Sequence, residues 1–197
     1  MGYDEVRIGT FLDDVASERV TPAGGTVVGV AGAMGAALCE MACIHTINAR
    51  EADDQQARDG DERAERSFEE IRDDLARQRR ELLALADQDA TLVDELFGGD
   101  AGDPTDRLQK RATGIPLATA ESSLAVLEDA AVVVEGGRAG VVADARAGAY
   151  LADAAVQASL STVRVNAASL PDRSFAETIV ARADTIAASA AEVRREV

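Results

Sequence analysis

The sequence predicts an all-α protein, a compact bundle of about six helices. Three observations carry this. Alanine dominates the apolar residues, aromatics make up only 3% and tryptophan is absent. Alanine is the best helix former and has no side-chain entropy to lose, so an alanine core implies helices in close contact. Long Val/Ile/Thr/aromatic runs of the strand type are nearly absent. Small and apolar residues recur at three- and four-residue steps between Gly/Pro breaks. With 197 residues and a hydrophobic fraction of 47%, one core is available, and a single domain over 1–197 is expected.

The first helix is expected over 3–18, before the break Thr21-Pro22-Ala23-Gly24-Gly25. A long second helix follows over 24–52. Its Gly25, Gly29, Gly32 and Ala36 recur at helical steps and let a neighbour approach closely. After a polar break at Asp59-Gly60-Asp61, the third helix is expected over 62–97, charged at its start. Gly98 to Pro104 reads as the clearest loop, with Pro104 suited to the first turn of the fourth helix. That helix should bend near Gly114-Ile115-Pro116, because an interior proline removes a hydrogen bond. It ends at Gly136-Gly137. A fifth helix is expected over 139–168, and Pro171 opens a sixth over 172–196.

Charge narrows the function. Lys+Arg is 20 against Asp+Glu 36, a formal net charge of −16. That disfavours nucleic acid, which needs a basic patch, and anionic membrane for the same reason. The longest apolar run, Thr26 to Cys39, is short and glycine-rich for a membrane span. Lys110 is the only lysine, and arginine supplies the other positive charges. This composition reads as a haloarchaeon-like acidic proteome, in which carboxylates keep the surface hydrated in concentrated salt. Asp4, Glu5, Asp13 and Asp14 occupy the place of a basic signal-peptide segment, so a cytoplasmic location is expected. Cys39 and Cys43 sit in an apolar stretch and read as buried thiols, and one histidine, His45, offers no metal ligand set. His45 itself reads as a core or bundle-edge residue.

Polar residues on apolar lines are the candidate site residues. Leu82, Ala86, Asp89, Val93 and Leu96 form one stripe, which Asp89 interrupts. Asp144, Gly148, Leu151, Ala155, Ala158, Thr162 and Val165 form another. Each carboxylate is either paired structurally, at a water-open edge, or functional. Asp87 points to a different side of its helix from Asp89, so no close dyad is expected. The turn Thr21 to Thr26 leads into a helix N-terminus, whose free N–H groups favour an anion or simply allow close packing.

An ordered set of segments resembles the cyclodeaminase/cyclohydrolase family of folate one-carbon enzymes. These are Phe11-Leu12-Asp13, Thr21-Pro22-Ala23-Gly24-Gly25-Thr26, Ala31 to Leu38, Asp87-Gln88-Asp89-Ala90, Ile115-Pro116-Leu117, Ala143-Asp144, Val163-Arg164-Val165-Asn166 and Leu170-Pro171-Asp172. The resemblance implies an all-helical homodimer that takes a tetrahydrofolate derivative as substrate, with no metal and no further cofactor. It implies an essential carboxylate at Asp87 or Asp89, the stripe favouring Asp89, and a second acid at Asp144. It places the substrate against Pro22, Gly24, Gly25, Arg50, Thr162 and Asn166. The chain departs from the family pattern at Ala23, Ala143 and Thr162, and in a basic stretch reduced to Asn48-Ala49-Arg50.

Two reactions fit that resemblance. A cyclohydrolase adds water to the methenyl bridge and opens it to 10-formyltetrahydrofolate. A cyclodeaminase closes a formimino group onto N10 with loss of ammonia. Both need proton transfer at nitrogen, which a desolvated carboxylate performs. The free-standing domain favours the cyclohydrolase. A non-catalytic folate-binding helical dimer is the remaining alternative.

Overall fold

The structure, a computed structural model, describes residues 2–54, 66–97 and 105–197. Every regular element among them is helical: α1 (Ile8–Val15), α2 (Gly24–Asp54), α3 (Phe68–Phe97), α4 (Asp106–Gly136), α5 (Val142–Ser169) and α6 (Arg173–Val193). A short 3-10 turn, Ala139–Val141, leads into α5. The expected bundle of six helices is the observed fold.

Helix α2 is central and packs against α3, α4 and α5. Small residues make this possible. A Cβ on Gly35 would lie 2.7 Å from the Gly148 carbonyl oxygen, and one on Gly148 would lie 2.6 Å from Cys39 Sγ. No larger residue fits this crossing of α2 and α5. By length and composition α2 could cross a membrane, with a mean hydropathy of 1.9 over its most apolar window. Its three helical neighbours account for the apolarity of the sides they cover. Both cysteines are buried there as free thiols, and burial pushes each up to about 12. Such thiols stay protonated and inert.

Several boundaries differ from expectation. Helix α1 is eight residues, not a span over 3–18. The chain before it is held by a contact to another element, the Tyr3 N–H donating to Asp87 Oδ1 at 2.9 Å. Beyond it, the Ser17 hydroxyl takes the Asp14 carbonyl and accepts from Arg19 N–H, which ends the helix. Helix α3 begins at Phe68, with Arg66 and Ser67 outside it, rather than near 62. Ser67 and Glu70 form a capping box: Ser67 Oγ accepts from Glu70 N–H and Glu70 Oε2 from Ser67 N–H. The break at Asp59-Gly60-Asp61, the loop from Gly98 and Pro104 lie outside the described residues. Thr105 caps α4, accepting from Leu108 N–H, and Asp172 caps α6, accepting from Phe175 N–H.

Helix α4 runs unbroken through Pro116. Proline has no N–H to give the Ala112 carbonyl. Asn166 Nδ2 on α5 donates to that carbonyl at 2.6 Å, so the lost backbone bond is replaced by a tertiary one. A second polar link joins α4 to the chain around α3: Asp129, 3% exposed, accepts from Arg66 at 2.6 Å and from Gln78 Nε2 at 3.1 Å.

Candidate functional site

The N-terminus of α2 and the last turns of α3 build the site. Antiparallel packing of the two helices sets Gly29 against Ala86 and Gly25 against Asp89. The buried Thr26 hydroxyl donates to Asp89 Oδ2 at 2.9 Å, and the Thr26 backbone N–H bonds to the same carboxylate. The anion expected at this helix start is therefore the protein's own Asp89. A Cβ on Gly25 would fall 2.2 Å from Asp89 Oδ1, so glycine at 25 is what lets the carboxylate lie across the helix end.

Burial pushes the Asp89 carboxyl above the usual carboxylate range, and the two Thr26 bonds pull it part of the way back. A half-buried carboxylate held this way takes and returns a proton more readily than an exposed one. Its hydrogen bonds fix its position without neutralising it by an ion pair.

Asp87 faces elsewhere, as its position on the helix requires. It accepts from Tyr3 N–H and lines a cleft of about 410 Å³ with Tyr3, Thr21, Thr91 and Asp94. Thr21 Oγ1 donates to Asp94 Oδ1 at 3.1 Å. Burial, then the charges of Asp87 and Asp94, push the Tyr3 hydroxyl up.

The remaining sequence candidates divide between the two ends of the bundle. Pro22, in a cis Thr21–Pro22 bond, and Gly24 border the α2 start together with Gly25. Asn166 and Thr162 lie toward the C-terminal end of α5, Asn166 engaged with Ala112 and Thr162 bonded to the Ala158 carbonyl of its own helix. Asp144 is exposed in the first turn of α5, about 27 Å from Thr162 along that helix. Cys39 Sγ contacts the Ala145 carbonyl at 3.6 Å, which sets the start of α5 roughly 22 Å down α2 from Gly24. Arg50 is farther still. Its guanidinium donates to the Gly136 carbonyl and lies 4.4 Å over the Phe68 ring. One chain therefore brings together Asp89, Gly25 and the α2 start, and leaves Asp144 and Arg50 at the opposite end.

Thr26 at Asp89 and Tyr3 at Asp87 are the contacts that were not expected. Thr26 carried a signal: a hydroxyl residue closing a glycine pair at a helix start is a donor in search of an acceptor. Tyr3 carried none, because its contact with Asp87 is tertiary.

The formiminotransferase-cyclodeaminase family profile matches residues 7–185. A methenyltetrahydrofolate cyclohydrolase of Methylorubrum extorquens is 33% identical over 182 residues, covering 86% of this chain and 83% of that protein. The fold matches a formiminotetrahydrofolate cyclodeaminase from Thermotoga maritima with a TM-score of 0.84 at 22% identity. That match covers 98% of this chain and 94% of the other.

Proposed function

The chain belongs to the formiminotransferase-cyclodeaminase family, and from that premise we propose that it is a 5,10-methenyltetrahydrofolate cyclohydrolase. The observation that carries the reading is Asp89, a half-buried carboxylate raised in pKa and fixed at the start of α2 by Thr26. The methenyl carbon lies between N5 and N10 and is already electrophilic. Water adds to it while ionised Asp89 takes a proton. The tetrahedral carbinol then collapses to a formyl group on N10 as the C–N5 bond breaks, and a proton passes to N5. Of water's two protons, one ends on N5 and one reaches solvent. Most of the acceleration comes from holding water and the activated carbon together beside the base.

Formiminotetrahydrofolate cyclodeaminase activity is the second reading, favoured by the fold shared with the Thermotoga maritima protein. There the same carboxylate would deprotonate N10 and pass the proton to departing ammonia. Incubation with 5,10-methenyl- and 5-formiminotetrahydrofolate separates the two. Loss of methenyl absorbance without ammonia supports the first, and ammonia release with a rise in methenyl absorbance supports the second. Neither signal would leave a folate-binding dimer without catalysis.

The reading includes a cytoplasmic homodimer. Val27, Val30, Met34, Leu38, Met41 and His45 form a stripe on α2 that is half-buried or exposed and carries no charged residue. In a chain of net charge −16, it is a surface on which a second copy meets no acidic side chain. A two-fold axis near Met34 would lay the two α2 helices antiparallel. One protomer's Asp144 end would then approach its partner's Asp89 end, which accounts for the separation of these residues within one chain.

A further inference from the structure

Four cavities can be compared by the charge of their walls. The one bounded by α4, α5 and α6 carries Glu128, Glu135 and Glu196 against Arg146, and the cleft at Tyr3 carries Asp87 and Asp94. A groove between α5 and α6 balances Arg164 and Arg173 against Glu177 and Asp184. The groove between α3 and α4 carries Arg107, Lys110 and Arg111 with Asp106, and it borders the Asp87–Asp89 segment through Gln88. Its floor is apolar, from Leu85, Ile115 and Ala118, and its volume is about 570 Å³. That lies within the range of small-molecule sites.

Gly114 is the independent sign that this space is kept open. It lies inside α4, where glycine is the poorest helix former after proline. A Cβ built on it meets nothing within 4 Å, so packing does not require glycine there. What its absent side chain leaves is room in the groove it lines. Gln88 lines the same groove and is the residue between Asp87 and Asp89. A ligand in the groove therefore lies within about one helical turn of both carboxylates.

From these we infer that the α3–α4 groove holds the aminobenzoyl-glutamate arm of the substrate, the ring on the apolar floor and the carboxylates at the basic rim. The inference rests on the folate reading. Of the three cations, Lys110 pairs with Asp106 and Asp172, and Arg111 with Glu95. Arg107 makes no ion pair among the described residues and is the first to meet an added carboxylate. A longer glutamyl chain brings more of them to the rim.

The test uses p-aminobenzoyl-glutamate and p-aminobenzoyl-triglutamate as probes on the full chain, by calorimetric titration at fixed ionic strength. Both should bind the wild type, the triglutamate more tightly. Gly114→Phe should weaken both, and Arg107→Glu should weaken the triglutamate, each on the order of tenfold. Arg173→Glu, in the α5–α6 groove, should change neither. Circular dichroism melts check that the variants fold. Absence of probe binding to the wild type, or binding unchanged in folded Arg107→Glu and Gly114→Phe, overturns the inference. If the wild type nonetheless opens methenyltetrahydrofolate, the folate reading stands and the groove is wrong. If the probes bind as stated while neither folate is turned over, the arm site stands and the proposed reaction fails.

Discussion

Two forces act on the proton of Asp89. Burial favours the neutral acid, while the Thr26 hydroxyl and N–H favour the carboxylate, and burial prevails. Because the folded pKa lies above the unfolded one, the native state binds the extra proton between those two values. Stability therefore falls as pH rises through that window, and the loss persists at neutral pH. Asp89→Asn keeps an acceptor for Thr26 and removes the charge. Thermal melts across pH should show the variant more stable than wild type at neutral pH and without that fall. Its turnover should drop on the order of a hundredfold while substrate still binds. Asp87→Asn, on the opposite side of α3, is the control. If it abolishes turnover while Asp89→Asn is nearly silent, Asp87 is the base. That the two carboxylates face different neighbours was legible, because the helical period puts Asp89, not Asp87, on the line with Leu82 and Ala86. The partners of each carboxylate were not legible, since Thr26 and Tyr3 reach them across the fold rather than along the chain.

Helix interiors followed from the sequence more closely than helix ends. The small residues of α2 signalled its close approach to a neighbour, because only small residues permit the crossing with α5. The ends depended on individual hydrogen bonds. The Ser67–Glu70 box starts α3 at Phe68, where the break at Asp59-Gly60-Asp61 suggested a start near 62. Pro116 was a signal of a bend within α4, and Asn166, fifty residues away, takes the carbonyl that the proline leaves bare as the helix continues. Asn166→Ala should therefore destabilise the protein by about 1 kcal/mol, at the low end for an unpaired carbonyl because the site is only half-buried. Chemical denaturation measures this, and no change would mean water replaces the amide fully. Gly114→Ala points the other way. With open space at its Cβ, it should stabilise α4 by about 1 kcal/mol, and a loss of stability would show that the glycine serves the backbone near Pro116 instead.

At the scale of the molecule, the separation of Asp144 from Asp89 and the net charge bear on the proposed homodimer. If partners share sites, Asp89→Asn and Asp144→Asn chains, each weak alone, should recover activity when mixed and allowed to exchange. Half the dimers would then be mixed and each would hold one intact site, giving about a quarter of wild-type activity. No recovery despite subunit exchange would put both residues' roles within one chain. Dimerisation would double a formal charge of −16, so salt should govern it. Exposed ion pairs such as Arg182–Glu121 and Arg164–Asp184 weaken as salt rises, but each contributes little, at most about 1 kcal/mol. Repulsion among 36 acidic side chains, offset by only 20 basic ones, weakens at the same time. Screening shortens its reach from about 30 Å at 0.01 M to about 3 Å at 1 M. The acidic excess should outweigh the few pairs lost, so melting temperature and the dimer fraction should both rise with salt. Differential scanning fluorimetry and sedimentation across that range measure the two together. A melting temperature flat or falling from millimolar to molar salt would remove the adaptation to salt, and a dimer that tightens while the melt stays flat would confine the effect to the α2 face.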